Sequence, residues 1–397
     1  MFTGAQEARI AGAAAGLALV GRVGVTRLVL TDFRNYREAR LGLATGPVVV
    51  TGANGAGKTN LLEAISFLAP GRGLRGARLG EIERRREDGA AGAGWAVAAV
   101  VETGRGALRI GTGRDGAASE RRVVRIDGEP ARSQASLGEQ LGIVWLTPAM
   151  DRLFLDGPSE RRRFADRLVL GFDPAHAGRV ARYEQAMRER SRLLRDGPAD
   201  PTWLGALEGV MAKEGVAVAA ARREVVHRLD SACAAAEGPF PRARLRLAGA
   251  VEDWLEEMPA LAAEERLAAA LAAGRRADAA SGGAAVGPHR SDLAVFHAEK
   301  GVEAGFASTG EQKALLISIL LADARQLQQI RGEPPLLLLD EVAAHLDGVR
   351  RAALFETLIR QGSQTWLTGT EAAVFAPLRE AAQFLTVHDG TLVPTPS

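Results

Sequence analysis

Cysteine is almost absent from this chain of 397 residues, and the one present, Cys233, excludes an internal disulfide. It reads as a helix residue in a reducing compartment. Six histidines stand without Cys or acidic partners at ligand spacing, which argues against a structural metal. No apolar run approaches the roughly 20 residues that a membrane-spanning helix needs, so no membrane partner and a cytoplasmic location are expected. Aromatics make up only 5%, and none interleave with basic residues as a base-stacking groove requires. Excess charge is missing too: 50 basic against 48 acidic residues leave +2, so global charge does not announce a nucleic-acid partner. Lysine occurs four times, at 58, 213, 300 and 313, with arginine at the other basic positions.

Two of those four lysines sit in motifs. Gly52-Ala53-Asn54-Gly55-Ala56-Gly57-Lys58-Thr59 follows the β-branched run Val48-Val49-Val50 and precedes a helical pattern from Asn60 to Ile65. That is the strand–loop–helix setting of a P-loop. Glycines let backbone N–H groups converge on a phosphate, and the helix N-terminus adds partial positive charge. Lys58 is placed to neutralise the β- and γ-phosphates of ATP, and the Thr59 hydroxyl to ligate Mg²⁺. Far downstream, Leu336-Leu337-Leu338-Leu339 ends in Asp340-Glu341. An apolar strand delivering two carboxylates at its C-terminal end suits the site of an open α/β sheet. Asp340 is expected to hold Mg²⁺ and Glu341 to activate the attacking water. Buried strands also end in solvated acids; the pairing with the P-loop gives this one its meaning.

Between them, Ser308-Thr309-Gly310-Glu311-Gln312-Lys313 opens a long apolar helix, with Ser308 or Thr309 as the N-cap. An ordinary capped helix would look the same. The order of phosphate loop, signature helix and acidic strand is that of ABC-type ATPases. In that class the signature serine and glycine, here Ser308 and Gly310, reach the nucleotide of a second copy. Ala344-His345-Leu346-Asp347 resembles the loop that also crosses that interface, so Asp347 joins the residues acting in trans.

These motifs, with Phe33-Arg34-Asn35-Tyr36, Gly157-Pro158-Ser159-Glu160-Arg161-Arg162-Arg163-Phe164, Gly287-Pro288-His289-Arg290-Ser291-Asp292 and Gln364 to Thr370, are similar to the RecF family. That is a bacterial recombination-repair and replication-gap family related to the SMC-type ATPases, and the resemblance runs from about Val23 to Val393. It implies an α/β, ABC-type ATPase lobe of mixed sheet and flanking helices, plus a compact helical lobe without a long coiled coil. It implies ATP and Mg²⁺ as cofactors and an ATP-dependent homodimer on single-stranded or gapped DNA. RecR and RecO are the implied protein partners, in loading RecA and inducing the SOS response. Hydrolysis is expected to be weak, DNA-stimulated and switch-like. Two departures stand out: Ser291 replaces the family's usual Asp, and no Q-loop glutamine follows Ile143–Leu146.

The expected organisation is an extension over 1–22, an ATPase lobe over 23–165 and 287–397, and a helical lobe over 166–286. In the extension Ile10–Val20 superficially resembles a signal h-region, but Glu7 sits where basic residues belong. A flexible extension, or a start codon assigned too early, is expected instead. In the helical lobe, Val180, Tyr183, Met187 and Leu194 share a stripe, while Leu204, Met211, Val218 and Val225 recur every seven residues. The arginine clusters 84–86, 121–122, 161–163 and 222–223 each have acids nearby, so solvated salt-bridged faces are expected and no DNA-contacting residue is assigned. A transporter's nucleotide-binding subunit is the alternative class. The long interval between P-loop and signature, the STGEQK sequence and the absence of a switch histidine after Thr368-Gly369-Thr370 oppose it. A P-loop kinase would leave Ser308–Lys313 and Asp347 without a role.

Overall fold

Alternation and β-branching carry most of the strands. The computed structural model describes residues 23–84, 94–116, 121–197, 200–343 and 346–395; the expected extension lies outside them. In chain order the strands are β1 (Gly24–Phe33), β2 (Tyr36–Gly42), β3 (Val48–Thr51), β4 (Gly94–Thr103), β5 (Gly106–Asp115), β6 (Val123–Ile126), β7 (Glu129–Pro130), β8 (Ile143–Leu146), β9 (Ala243–Ala248), β10 (Asp292–His297), β11 (Val302–Glu303), β12 (Leu336–Leu339), β13 (Thr365–Gly369), β14 (Gln383–His388) and β15 (Thr391–Pro394). The chain divides into two units, one of residues 1–150, 237–240 and 320–397 and the other of 151–236 and 241–319.

The first unit has two six-stranded sheets. One is antiparallel, in the order β2-β1-β4-β5-β6-β7. The other runs β15-β14-β3-β13-β12-β8, parallel except for β15. Their strands read differently for a physical reason. Along β1, Leu28, Leu30 and Phe33 are buried while Arg27 and Thr31 face out, the alternation of a sheet with one wet face. In contrast β3, β8, β12 and β13 are buried at every position, as parallel strands covered on both faces must be. The helix Lys58–Ser66 is buried over Leu61 to Ser66 and shares one apolar core with Leu28, Leu30 and Val97 of the antiparallel sheet and Val48, Val50 and Leu336 of the parallel one. The helix is enclosed at its polar positions Glu63 and Ser66 as well as its apolar ones, and it begins at the P-loop.

The second unit contains the helices Pro158–Phe172, His176–Arg195, Pro201–Ala234, Ala250–Glu257 and Ala260–Ser281. Asp200 caps the 34-residue helix by accepting from the Thr202 N–H at 2.8 Å, with Pro201 in its first turn. Leu204, Met211, Val218 and Val225 are all buried, as their seven-residue spacing predicts. The other stripe departs from expectation: Tyr183 and Ala186 are buried, and the next position inward is a charged residue, Arg190. Its guanidinium reaches Glu208 at 2.9 Å, Asp278 at 2.8 Å and the Leu271 carbonyl at 2.6 Å, so each of its three nitrogens finds an acceptor.

The division differs from the boundaries read from sequence. The unit expected to be helical also holds a three-stranded sheet, β11-β10-β9. Residues 151–165 and 287–319, expected with the ATPase lobe, belong to it. The ties are side-chain pairs that sequence spacing does not reveal. Arg161 forks onto Asp292 at 2.7 and 2.8 Å, and Arg162 donates to the Ser291 carbonyl at 2.8 Å.

Candidate nucleotide-binding site

The P-loop leaves β3 with its backbone in conformations that favour glycine. Gly52, Gly55 and Gly57 have φ of 152°, 80° and 122°. A Cβ on Gly52 would lie 2.4 Å from the Val387 carbonyl, and one on Gly57 2.5 Å from the Asn35 amide. The loop is thus closed in from behind while Ala53, Asn54 and Gly55 stay exposed. Gly57 is the N-cap of the helix Lys58–Ser66 with no side chain capping it, so the first N–H groups remain free for an anion.

A hairpin braces this loop. Phe33 pairs with Tyr36, and the turn between them holds Arg34 at a φ of 56°. That turn delivers three side chains. Asn35 donates to the Ala56 carbonyl at 2.9 Å and accepts from Asn60 at 2.7 Å. The buried Tyr36 hydroxyl donates to the Gly57 carbonyl at 2.9 Å. Arg34 forks onto Glu63 at 2.7 and 2.8 Å, and Arg75 meets the same carboxylate at 2.7 Å. Glu63 is fully enclosed, and the two guanidiniums satisfy it.

The acidic strand meets the loop across β13. The strand order β3-β13-β12 puts one strand between P-loop and Asp340. Thr59 donates its hydroxyl proton to Asp340, with Oγ1 at 2.9 Å from Oδ2 and 3.1 Å from Oδ1. Thr368, at the end of the intervening strand, donates to Asp340 Oδ1 at 2.7 Å and accepts from the Glu341 N–H at 2.9 Å. Glu341 itself takes a φ of 52°, a left-handed conformation that costs a non-glycine residue of order 1 kcal/mol or more. The Thr368 bond holds it there. Its carboxylate is about a third exposed (37%) and lies 3.9 Å from Lys58 Nζ. The Lys58 ammonium is buried and donates to the Gly52 and Ala53 carbonyls at 2.9 and 3.0 Å.

Lys58, Thr59, Asp340 and Glu341, selected from sequence 281 or more residues apart, are therefore one cluster. A hydroxyl and a carboxylate at hydrogen-bond distance form an oxygen donor set suited to Mg²⁺. An exposed glycine loop at a helix N-terminus beside it suits a polyphosphate. Thr368 and the Arg34–Tyr36 hairpin also contact this cluster, and their place in it could not be read from the spacing of the motifs. The usable signal for Thr368 was position: the C-terminal end of a strand lying between the two motif strands.

The remaining candidates lie elsewhere. Ser308 and Gly310 are in the second unit, exposed at the start of the helix Thr309–Arg331. Glu311 reaches back to the Ser308 N–H at 3.1 Å and pairs with Lys300 at 2.6 Å. The Lys300 ammonium and the Ser308 amide hold its carboxyl down, to about 2. Lys313 is buried and pairs with Asp151 at 3.2 Å. Asp347, in the first unit, caps the helix Gly348–Gln361 by accepting from Arg350 N at 2.8 Å. Ala344 and His345 lie outside the described residues.

The arginine clusters divide. Arg122 is buried and donates to Thr112 and to the Ala69 and Gly71 carbonyls. Arg222 is buried, forks onto Asp166 at 2.7 and 2.8 Å and reaches the Pro288 carbonyl. With Arg161 and Arg162 tied as described above, these residues hold the fold. Arg85 and Arg86 lie outside the described residues.

A family model described as the RecF/RecN/SMC N terminal domain matches residues 24–392. The DNA replication and repair protein RecF of Mesorhizobium japonicum is 50% identical over 374 residues, 94% of this chain and 98% of that protein. A solved structure of the recombination mediator protein RecF-ATP of the RecFOR pathway aligns with a TM-score of 0.81 at 22% identity, covering 94% of this chain and 98% of that one. The Smc head domain with an extended coiled coil, derived from Pyrococcus furiosus, aligns at 0.51 and 16% identity over 94% and 96%. The fold expected from sequence, an ABC-type ATPase lobe with a compact second lobe, is the fold found.

Proposed function

The chain belongs to the RecF family, and on that premise we propose that it is an ATP-gated DNA-binding protein of replication and recombinational repair. The contact that carries the reading is Thr59 to Asp340 at 2.9 Å, with Thr368 linking Asp340 to Glu341. It joins the two halves of a nucleoside-triphosphatase site. When bound, Mg·ATP supplies the phosphoanhydride to be cleaved. Gly52 to Thr59 cradle its phosphates, Thr59 and Asp340 hold the cation, and Glu341 orients and deprotonates the attacking water.

The exposed signature helix start supports a site completed by a second copy. Ser308 and Gly310 of one chain, with Asp347, act on the nucleotide held by the other. Nucleotide contacting both chains favours the dimer through its differential affinity, and hydrolysis removes that preference. In the cell the dimer engages single-stranded or gapped DNA through phosphate contacts and works with RecO and RecR in loading RecA and inducing the SOS response. Turnover is weak, stimulated by DNA, and serves as a reset. The test is Glu341→Gln, which keeps the cradle and removes the base. Sedimentation with ATP should show a persistent dimer, and a variant that stays monomeric at saturating ATP contradicts the proposal.

A further inference from the structure

The outer face of the antiparallel sheet departs from the usual pattern of a wet sheet face, and the departure has a shape. Outward positions normally carry long polar side chains. Here the middle of the face is stripped to Ala96 and Ala98 on β4 and Gly111 and Gly113 on β5. Ala98 stands opposite Gly111 and Ala96 opposite Gly113, so the bare strip is continuous across β4 and β5, with Val29 on the β1 side and Arg125 on the β6 side. Arginines stand around it. Arg27 and Arg109 face each other across Val100, two strand spacings or roughly 10 Å apart, and Arg125 closes the β6 side. The result is an open groove of about 420 Å³ with a floor of small side chains, Ala98 and Gly111 between Val29 and Val100, and guanidinium walls.

Charge on the rim is unbalanced. Arg109 shares its charge weakly with Asp127 at 3.9 Å. Arg125 donates only to the Gly128 carbonyl at 3.1 Å, and no described acid pairs with it or with Arg27. These arginines are therefore unlike Arg122, Arg161 and Arg222, whose donors are consumed by the fold. No aromatic side chain lines the groove, so it offers nothing for a base to stack on. What fits is a row of phosphates lying close against a floor of short side chains.

We propose that this face, through Arg27, Arg109 and Arg125, is a seat for the phosphate backbone of DNA. It rests on the reading of the chain as a DNA-binding protein and adds the residues which that reading lacks. The seat recognises backbone without sequence.

The test uses the full-length protein with ATP and a gapped duplex, titrated between about 50 and 200 mM salt. Two variants are compared with the wild type. Arg27→Gln with Arg125→Gln removes two phosphate contacts and should flatten the slope of log K against log salt by nearly 2, at about 0.9 per contact. Gly111→Glu puts a carboxylate on the floor at a site where a new Cβ meets only Arg125 Cβ at 3.9 Å, so folding is retained. It should weaken binding at least tenfold at low salt. ATP-dependent dimerisation, read in parallel without DNA, should be unchanged in both. Wild-type binding with an unaltered slope and affinity in the variants overturns this seat and leaves the DNA-binding reading standing. Failure of the wild type to bind overturns both.

Discussion

Asp340 is held by two hydroxyls from two different elements, and each has a distinct consequence. Thr59 ties it to the P-loop, and Thr368 ties it to the backbone of Glu341. Thr368→Val keeps the shape and removes the second tie, leaving the Glu341 N–H without its partner and Asp340 with Thr59 alone, at a cost of about 1–3 kcal/mol. Glu341 then loses the bond that keeps it left-handed. Turnover should fall about 10- to 100-fold, as when a partner that orients a ligating carboxylate is removed, while ATP affinity changes little; equal turnover in single-turnover assays counts against a role for Thr368. Asn35→Ala acts on the other side of the site. Losing its bonds to Ala56 and Asn60 should weaken nucleotide binding by up to about 30-fold, at about 1 kcal/mol for each of the two bonds, measured with a fluorescent ATP analogue. The P-loop was legible from sequence because its glycines, lysine and threonine are dictated by phosphate chemistry at fixed spacing. Thr368 and Asn35 were not, because each acts on a backbone atom that is remote in the chain, and no spacing rule encodes that.

At the scale of elements, the second unit is knitted by the Gly287–Asp292 segment. The Tyr183 hydroxyl meets His289 Nδ1 at 2.6 Å, and Nε2 faces the Ala284 carbonyl at 2.9 Å. A carbonyl only accepts, so Nε2 carries the proton, and Nδ1 accepts from the tyrosine. Burial, with nearby arginine charge, holds the imidazole pKa below its ordinary value. The unfolded chain then binds the extra proton first. This contribution is complete above pH of about 6.5 and is lost as pH falls below it. The loss of stability between pH 7 and 5 should be shallower in His289→Gln, tested by urea unfolding; parallel curves contradict the assignment. Ser291 answers the departure noted in the motif: it is fully buried and donates to Glu252 at 2.6 Å, and burial pushes that carboxyl up. Residue 252 supplies the acid. Ser291→Asp sets two carboxylates against each other and should destabilise by about 1–3 kcal/mol, with Glu252→Gln restoring most of it. Restoration absent in the double variant refutes the pairing. Long periodic helices such as Pro201–Ala234 were readable from sequence. The strand Ala243–Ala248 alternates at period two but is short, and its partner lies some 50 residues on, so it escaped notice.

For the whole molecule, Gly52–Thr59 and Asp340–Glu341 share one unit, while Ser308 and Gly310, expected from sequence in the same ATPase lobe, belong to the other. Division of labour between chains is the central claim of the account, and mixing two defective variants tests it most directly. Lys58→Ala removes the cradle's charge and Ser308→Arg blocks the signature; each alone should be inactive. In a head-to-tail pair of one of each, one site carries both defects and the other carries none. Random pairing then restores roughly a quarter of wild-type ATPase activity if sites work independently. That recovery on mixing is the predicted result; activity that stays at the level of the separate variants, across all mixing ratios, contradicts a site built from two chains.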